Sequence, residues 1–258
     1  MPYPNFEGKH AHDAVFHPQD LVAYFRKELK LPEIAPPHGM IFCYERSFFQ
    51  QILAQEENEA IGPGIHLLKQ TDGRIGICGG FGIGAPAATA ILEVCVAMGV
   101  REFLSIGMAG TLQTTTQIGD LIVCERAIRD EGVSHHYVVP EKYAYPSPAL
   151  TQRLHESLME AGVQPTVGTT WTIDAPYRET VEEVRCYQSE GVLTVEMEAA
   201  ALFAVAKSRG VEMASAFVIS DSLAELVWKP HFASEVVSAG LLTLYNAARA
   251  TLVEQRHQ

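Results

Sequence analysis

The segment that constrains the fold most is an apolar stretch opened by two glutamates, Glu196 and Glu198. Residues 198–207 are nearly all Ala, Leu, Phe and Val, which predicts a buried helix, and Gly210 supplies a natural end to it. At least one of the two acids must face inward, where a carboxylate needs hydrogen-bond donors. The segment therefore predicts a helix N-terminus that carries buried acidic groups.

A third acid follows the next apolar run. Residues 213–219 have the length and composition of a strand, and Ser220 and Asp221 stand at its end. In an open α/β sheet, ligands bind in the crevice at the carboxyl ends of the strands, so Glu198 and Asp221 are expected to share that crevice. Each acid taken singly is equally well explained locally, because the helix dipole favours Glu in a first turn and Asp is a common turn residue.

Strands and helices alternate along the rest of the chain, which predicts an α/β fold with a largely parallel sheet. No internal repeat or linker interrupts the pattern. Residues 1–258 are therefore predicted to form a single domain, with residues 1–38 as an N-terminal arm and helix. Further strands are expected at 40–44, 65–69, 74–78, 103–106, 121–124, 165–170 and 192–194. Further helices are expected at 18–29, 48–55, 87–98, 150–161, 180–187 and about 233–254, and residues 131–148 and 171–176 are expected as loops.

The composition excludes several classes of partner. The 258 residues are 47% hydrophobic and 19% charged, as in an ordinary globular chain with one sizeable core. The net charge of −12 argues against nucleic acid or an anionic membrane as partner, and no apolar run is expected to span a membrane. The cysteines are odd in number, and the opening residues Met1-Pro2-Tyr3-Pro4 lack the features of a signal peptide, so a cytoplasmic protein with free thiols is expected.

Two glycine-rich segments follow expected strands. Gly80-Phe81-Gly82-Ile83-Gly84-Ala85 satisfies a loose form of the dinucleotide fingerprint, with Glu102 roughly placed for a ribose, so a nicotinamide-dependent oxidoreductase is one alternative. The other interpretation is that the glycines let the backbone approach a small ligand. Gly107-Met108-Ala109-Gly110 is expected as a second such turn, and Arg46 follows a third strand. Together these segments predict backbone N–H groups converging on an anion or a sugar.

No metal site is predicted. His135-His136-Tyr137 offers ligand atoms, but the chain contains no His-x-x-x-His, no Cys-x-x-Cys and no cluster of aspartates.

The order and spacing of five motifs resemble the nucleoside phosphorylase/nucleosidase superfamily. They are Gly82-Ile83-Gly84-Ala85-Pro86, Ile106-Gly107-Met108-Ala109-Gly110, Ile118-Gly119-Asp120, Val195-Glu196-Met197-Glu198-Ala199-Ala200 and Ser220-Asp221. The resemblance covers roughly residues 40–250. It implies a single-domain, three-layer α/β fold with a twisted, partly barrel-like mixed β-sheet flanked by helices. It also implies cleavage of the N-glycosidic bond of a purine or purine-like nucleoside by a homodimer or a hexamer, with inorganic phosphate as co-substrate and no cofactor.

The resemblance assigns roles by position. Asp221 matches the acid that protonates the leaving base, Glu198 would hold the ribose hydroxyls, and Met197 would pack under the sugar. His17, or else His10, would be the arm histidine that reaches a neighbouring subunit's sugar. The remaining implied contacts are Trp171, Arg178 and Tyr137 for the base, with His136 flanking the pocket, and Arg46, Ser105, Met108 and Gly84 for the phosphate.

The chain departs from the family's pattern at the phosphate. Ser105 stands where phosphorylases of this family usually carry an Arg, and Met108 stands where they carry Ser or Thr. Each lost charge-assisted contact would weaken anion binding by ~1.5–3 kcal/mol. The acceptor is therefore expected to be phosphate, with water as the alternative, and a non-catalytic nucleoside-binding protein is a further alternative. No Arg or Lys follows Asp221 between Ser222 and Trp228 to act as its basic partner.

Overall fold

The computed structural model describes residues 4–30 and 34–253. Within them seven α-helices surround eleven strands of one sheet. The helices are α1 Pro18–Leu29, α2 Arg46–Gln55, α3 Ala85–Met98, α4 Pro148–Glu160, α5 Val181–Ser189, α6 Ala199–Arg209 and α7 Glu235–Val253. The strands are β1 Gly39–Cys43, β2 Asn58–Gly62, β3 Ile65–Leu68, β4 Ile75–Gly79, β5 Glu102–Thr111, β6 Leu121–Asp130, β7 Tyr143–Ala144, β8 Thr166–Ile173, β9 Thr194–Glu196, β10 Glu212–Ser222 and β11 Lys229–Pro230.

Five of the strands close into a ring. The strands β10, β6, β8, β9 and β5 pair in that order, and β10 also pairs with β5, which completes the circle. From β5 the sheet continues outward through β1, β4, β3 and β2. This arrangement confirms the partly barrel-like mixed sheet that the resemblance implies. The expectation of a largely parallel sheet was wrong, because five strand pairings are parallel and six are antiparallel.

Apolar side chains fill both faces of the sheet. On one face Phe42 packs in a cluster with Leu92 of α3 and Phe203 of α6. On the other face Ile41 packs in a cluster with Leu244 of α7. Because successive strand residues point to opposite faces, consecutive residues of β1 belong alternately to the two clusters. The helices therefore form the two outer layers of a three-layer fold.

Helix α7 is long and apolar enough, by length and composition, to pass for a membrane span. Half of that apolar stretch is buried inside the fold, where Val237, Leu241 and Leu244 belong to the second face's cluster. Its apolar composition is therefore explained by packing against the sheet and α4.

Several strands are longer than expected, and each extension reaches toward the acidic residues. Gly107 to Gly110, expected as a turn, lies within β5, because Gly110 pairs with Val195 on one side and Asp221 on the other. Strand β8 continues to Ile173, so Trp171 lies in a strand and not in a loop.

Candidate active site

Glu198 occupies the junction between two helix N-termini. It is the N-cap residue of α6, yet its carboxylate Oε1 accepts a hydrogen bond of 2.5 Å from the backbone N–H of Gly84, the N-cap residue of α3. Gly84 has a φ of 96°, a left-handed conformation that a side chain would strain. Only 7% of Glu198 is exposed, and burial, together with the charge of Glu196, raises the pKa of its carboxyl. Met197 lies beside the same glycine, with its Cε 4.0 Å from the position a Gly84 Cβ would take.

Glu196 has a different task from Glu198. Its Oε2 accepts hydrogen bonds from the backbone N–H groups of Glu198 at 2.8 Å and Ala199 at 2.7 Å, so it caps α6 from outside the helix. Its Oε1 accepts a 2.5 Å hydrogen bond from the hydroxyl of Thr172, which the sequence interpretation missed. Burial raises the pKa of Glu196. The inward-facing acid with donors on both of its oxygens is therefore Glu196.

Asp221 lies near the carboxyl end of β10 and is 8% exposed. Its Oδ1 accepts a hydrogen bond of 2.8 Å from the hydroxyl of Ser220, and its Oδ2 accepts one of 3.0 Å from the indole N–H of Trp228. The sequence interpretation considered only Arg and Lys as partners of Asp221, and it therefore missed Trp228, whose indole N–H is a neutral donor. The signal was present in the sequence as a tryptophan seven residues beyond the acid.

Gly110 brings the segments that bear Glu198 and Asp221 together. It pairs with Val195 of β9 and with Asp221 of β10. A Cβ on Gly110 would lie 3.0 Å from Asp221 Oδ2 and 3.2 Å from Val195 Cγ1, so a side chain there would require both neighbouring strands to shift. Glu198 follows Val195 by three residues, which places it at the same end of the barrel.

The residues expected at the phosphate are not all brought together. Ser105 is buried, and its hydroxyl is hydrogen bonded to the hydroxyl of Tyr44 at 2.8 Å. Met108 packs against the cluster beside α4 and α7, because it is three positions beyond Ser105 in an uninterrupted strand and so points to the opposite face. Arg46 is exposed at the first position of α2. Gly84, described above, is the one of the four that contacts Glu198.

Tyr44 is a site residue that the sequence interpretation missed. Burial raises the pKa of its hydroxyl, and the charge of Glu198 raises it further, so the phenol lies near that carboxylate. Its ring packs edge-on against Phe81 with the ring centroids 5.6 Å apart, and it lies 3.1 Å from the position a Gly107 Cβ would take. Tyr44 therefore fills space between the glycine loop and β5.

Of the residues expected at the base, Trp171 is placed in the interior. It is fully buried, its indole N–H donates to Asp130 Oδ2 at 2.9 Å, and its ring contacts Tyr187 at a centroid distance of 4.8 Å. The structure thus gives Trp171 a packing role and corrects the expectation of a pocket residue. Arg178 is exposed at the end of a short 3-10 turn, Pro176–Arg178.

Glu179, immediately after that turn, is a further acid near Asp221. Burial, with the charges of Asp221 and Glu183, raises the pKa of Glu179 to about 7. The sequence interpretation did not single out Glu179. Its approach to Asp221 depends on the barrel, in which β6 pairs with both β8 and β10.

Tyr137, the third residue expected at the base, lies beside the last residue of α6. Its hydroxyl bonds to Glu93 of α3, and its ring faces the guanidinium of Arg209 at 5.9 Å. Arg209 ends α6 and binds Glu93 with two bonds of 2.6 and 2.8 Å. At 1.5 Å per residue, the end of α6 is about 16 Å from Glu198 at its start. The structure therefore separates Tyr137 from Glu198.

The arm histidines bind within their own chain. His17 is the N-cap of α1, and its backbone N–H donates to Asp20 Oδ2 at 2.8 Å. His10 Nε2 lies 2.9 Å from the carbonyl oxygen of His135, and Lys9 Nζ lies 2.8 Å from His136 Nδ1.

Within residues 4–30 and 34–253, no three His, Cys, Asp or Glu side chains are grouped so that they could hold a metal ion.

Comparison with known proteins gives one family. The family model described as Phosphorylase superfamily matches residues 62–247. The chain is 32% identical over 146 residues to a "Purine nucleoside phosphorylase DeoD-type" of Caldanaerobacter subterraneus subsp. tengcongensis, which covers 56% of this chain and 63% of that protein. It is 32% identical over 142 residues to a "Guanosine phosphorylase" of Halorubrum lacusprofundi, covering 55% of this chain and 59% of that protein.

A third relative is a "Uridine phosphorylase" of Haemophilus influenzae, 30% identical over 144 residues, with 50% of this chain and 57% of that protein covered. The chain thus matches about three fifths of the length of these curated relatives. Their names include phosphorylases of both purine and pyrimidine nucleosides.

Proposed function

The chain belongs to the phosphorylase superfamily, and on that premise we propose that it cleaves the N-glycosidic bond of a purine or purine-like nucleoside with phosphate as acceptor. The observation that carries the proposal is the approach of two buried carboxyl-bearing segments at Gly110, one leading to Glu198 and the other containing Asp221. Relatives named as nucleoside phosphorylases support the reaction class.

The chemistry requires two carboxyl groups with different roles. Cleavage passes through an oxocarbenium-like sugar while negative charge grows on the base, so a carboxyl group that shares a proton with the base lowers the barrier. Asp221 takes this role, because among the described residues Ser220 donates to one of its oxygens and Trp228 to the other, which leaves lone pairs for the base. A carboxyl group that can share a proton suits a purine ring nitrogen, which is the reason for proposing a purine.

Glu198 takes the role of holding the ribose. Its Oε1 is fixed by Gly84, and we assign the remaining lone pairs of the carboxylate to the sugar hydroxyls. Met197, against the same glycine, packs under the sugar. Holding the sugar in one orientation lowers the activation barrier, because the reactants lose their translational and rotational freedom on binding and not in the reaction step.

Phosphate is held by Arg46 and by the N-terminus of α3, through its dipole and the N–H of Ala85, because Gly84 donates its N–H to Glu198 and Pro86 has none. A helix N-terminus presents unpaired N–H groups and the positive end of the helix dipole to an anion. Of the residues proposed to bind the base, Arg178 immediately precedes Glu179, an acid that lies near Asp221.

One observation favours water as acceptor, as a second candidate. The hydrogen bond between Tyr44 and Ser105 occupies the position where the family's pattern has an arginine that binds phosphate. A tyrosine hydroxyl bonded to a serine presents no positive charge to an anion, so phosphate would be held by fewer charge-assisted contacts.

The two candidates are separated by incubating the protein with a panel of nucleosides, with and without phosphate. Phosphorolysis predicts base release that requires phosphate and yields a sugar 1-phosphate. Base release at the same rate without phosphate identifies the hydrolase, and binding without release of any base identifies a non-catalytic binding protein. In the phosphorolytic case, Arg46→Ala raises the KM for phosphate at least about tenfold, since a charge-assisted contact contributes ~1.5–3 kcal/mol. Arg74→Ala serves as the matched control, because Arg74 immediately precedes β4 at the opposite end of that strand from the glycine loop.

The proposed assembly is a homodimer or a hexamer in the cytoplasm, in which His17 or His10 of one subunit reaches the sugar bound by another. Light scattering coupled to size-exclusion chromatography measures the assembly directly. His17→Ala and His10→Ala, compared for the KM of the nucleoside, then identify the arm histidine.

A further inference from the structure

Trp228 is bound to the carboxylate at the centre of the proposed reaction. Its indole N–H donates to Asp221 Oδ2 at 3.0 Å, while the hydroxyl of Ser220 donates to Oδ1. The remainder of the indole stays open, since 60% of Trp228 is exposed although Asp221 is only 8% exposed. The bond therefore sits at the boundary between the buried carboxylate and the surface.

Backbone contacts fix the place of Trp228. It immediately precedes β11, which pairs with β10 so that Pro230 lies opposite Asp221. The backbone N–H of His231 donates to the carbonyl of Ser220 at 2.9 Å, and the side chain of Gln188 donates to the carbonyl of Ala224 at 2.9 Å. The hairpin between β10 and β11 is thus tied down on both sides of Trp228.

The same hairpin holds an unfavourable backbone conformation. Leu226 has a φ of 61°, which a bulky side chain rarely adopts. Strain of this kind persists where the surrounding structure imposes it, and it clusters at functional sites. Here it occurs two residues before Trp228, in the turn that delivers the indole to Asp221.

A neutral donor has a specific effect on an acid. The N–H of an indole orients a carboxylate oxygen, as a guanidinium or ammonium group would, but adds no positive charge. A guanidinium or ammonium group adds Coulombic attraction to the hydrogen bond, so it would favour the ionised carboxylate more than an uncharged indole does. A carboxyl group that must carry a proton to its substrate is therefore better served by an indole.

We propose that Trp228 is the positioning residue for Asp221: its indole N–H fixes Oδ2, so that the other lone pairs of the carboxyl group are aimed at the departing base. This inference rests on the proposed function, and it assigns to a tryptophan the task of the basic partner that is missing from residues 222–228. Trp228 acts through Asp221 and not by contact with the reacting atoms.

The kinetic test compares three variants. Trp228→Phe keeps a ring and loses the donor, and it is expected to lower kcat about 10- to 100-fold while the KM for the nucleoside stays within about threefold. Trp228→His restores an N–H donor and should recover at least about tenfold of that loss. Phe232→Leu is the matched control, because Phe232 is the exposed ring next to Trp228, at a centroid distance of 6.1 Å, and it leaves kcat within about threefold.

A second measurement does not depend on activity. The chain has two tryptophans, and Trp171 is fully buried, so protein labelled with 15N-tryptophan gives two indole N–H signals that Trp228→Phe assigns. Asp221→Asn should move the Trp228 signal and leave the Trp171 signal in place. An unmoved Trp228 signal overturns the inference.

The two levels of failure are distinct. Wild-type protein that releases base from no nucleoside overturns the proposed function. A wild-type enzyme that is active, but whose Trp228→Phe variant keeps its full kcat or loses no more than Phe232→Leu does, overturns the role of Trp228 alone.

Discussion

The backbone N–H of Gly84 and the Oε1 of Glu198 are 2.5 Å apart, and this bond joins the N-terminus of α3 to the N-terminus of α6. Both helices present the positive ends of their dipoles at this point, which favours a negative group. Burial acts in the opposite direction and raises the pKa of the Glu198 carboxyl. The balance makes Glu198 an acceptor for hydroxyl groups that is held rigidly between two helices.

Glu198→Gln should weaken the recognition of ribose, because an amide accepts hydrogen bonds at one oxygen where the carboxylate accepts them at two. We expect the preference for ribonucleosides over 2′-deoxyribonucleosides to fall about tenfold, measured as the ratio of kcat/KM values. An unchanged ratio would contradict the role proposed for Glu198.

Glu196→Ala is the contrasting change at the neighbouring acid. It removes the cap on α6 and should lower the free energy of unfolding by ~0.5–2 kcal/mol, as other caps do, as measured by urea denaturation. A loss of sugar preference in this variant without loss of stability would mean that the two glutamates have been assigned the wrong way round.

Asp221→Asn should reduce the chemical step and spare binding. A positioned proton donor contributes about 10²- to 10⁴-fold, so kcat is expected to fall by such a factor while the KM for the nucleoside changes less than about threefold. The measurement is base release under saturating phosphate. Asp72→Asn is the control, since Asp72 lies in a turn with a φ of 53°, which asparagine tolerates. Equal losses in binding and in rate would count against Asp221 as the acid.

Glu179 predicts how stability depends on pH. Its pKa is raised from 4.5 to about 7, so the folded protein holds a proton that the unfolded chain releases at lower pH. The free energy of unfolding therefore falls as the pH rises through this interval, and the unfavourable contribution is complete above about pH 7. Glu179→Gln should make the decline between about pH 5 and pH 8 smaller, as measured by urea denaturation at each pH. Glu182→Gln, at an exposed neighbouring position, should leave the decline unchanged.

The bidentate pair of Arg209 and Glu93 should stabilise the fold without affecting the reaction. Side chains in this pair are 36% and 9% exposed, and Arg209→Met would leave Glu93 largely buried without that partner. Removing one member of a fully buried pair costs about 3–5 kcal/mol, and this half-exposed pair should cost less, about 1–3 kcal/mol. Lys27→Met, in a pair that is 83% and 48% exposed, should change stability by less than about 0.5 kcal/mol.

The same variant tests the place of Tyr137. If Arg209→Met raises the KM for the nucleoside by more than about twofold, Tyr137 belongs to the base pocket. We expect the KM to stay within about twofold, because the Tyr137 hydroxyl is bound to Glu93, whose partner Arg209 is at the end of α6 away from Glu198.

The sequence by itself determined the elements and the family. The apolar composition of residues 199–206 predicted the buried helix α6, and the strand ending in Ser220 and Asp221 was expected within a few residues of its bounds. These predictions succeed because helix and strand periods, helix ends and apolar runs are local properties of the chain. The motifs around Glu198 and Asp221 likewise identified the superfamily that the family comparison confirms.

Only the tertiary structure decided which side chains meet. The pairing of β10 with β5 joins residues about 110 positions apart and closes the barrel at Gly110, and no local pattern specifies that register. Strand alternation sends Met108 away from Ser105, and the hairpin after β10 turns Trp228 back onto Asp221. The hydrogen-bond partners of a buried carboxylate come from several segments that are distant in sequence. Their distances are therefore fixed only when the whole chain has folded.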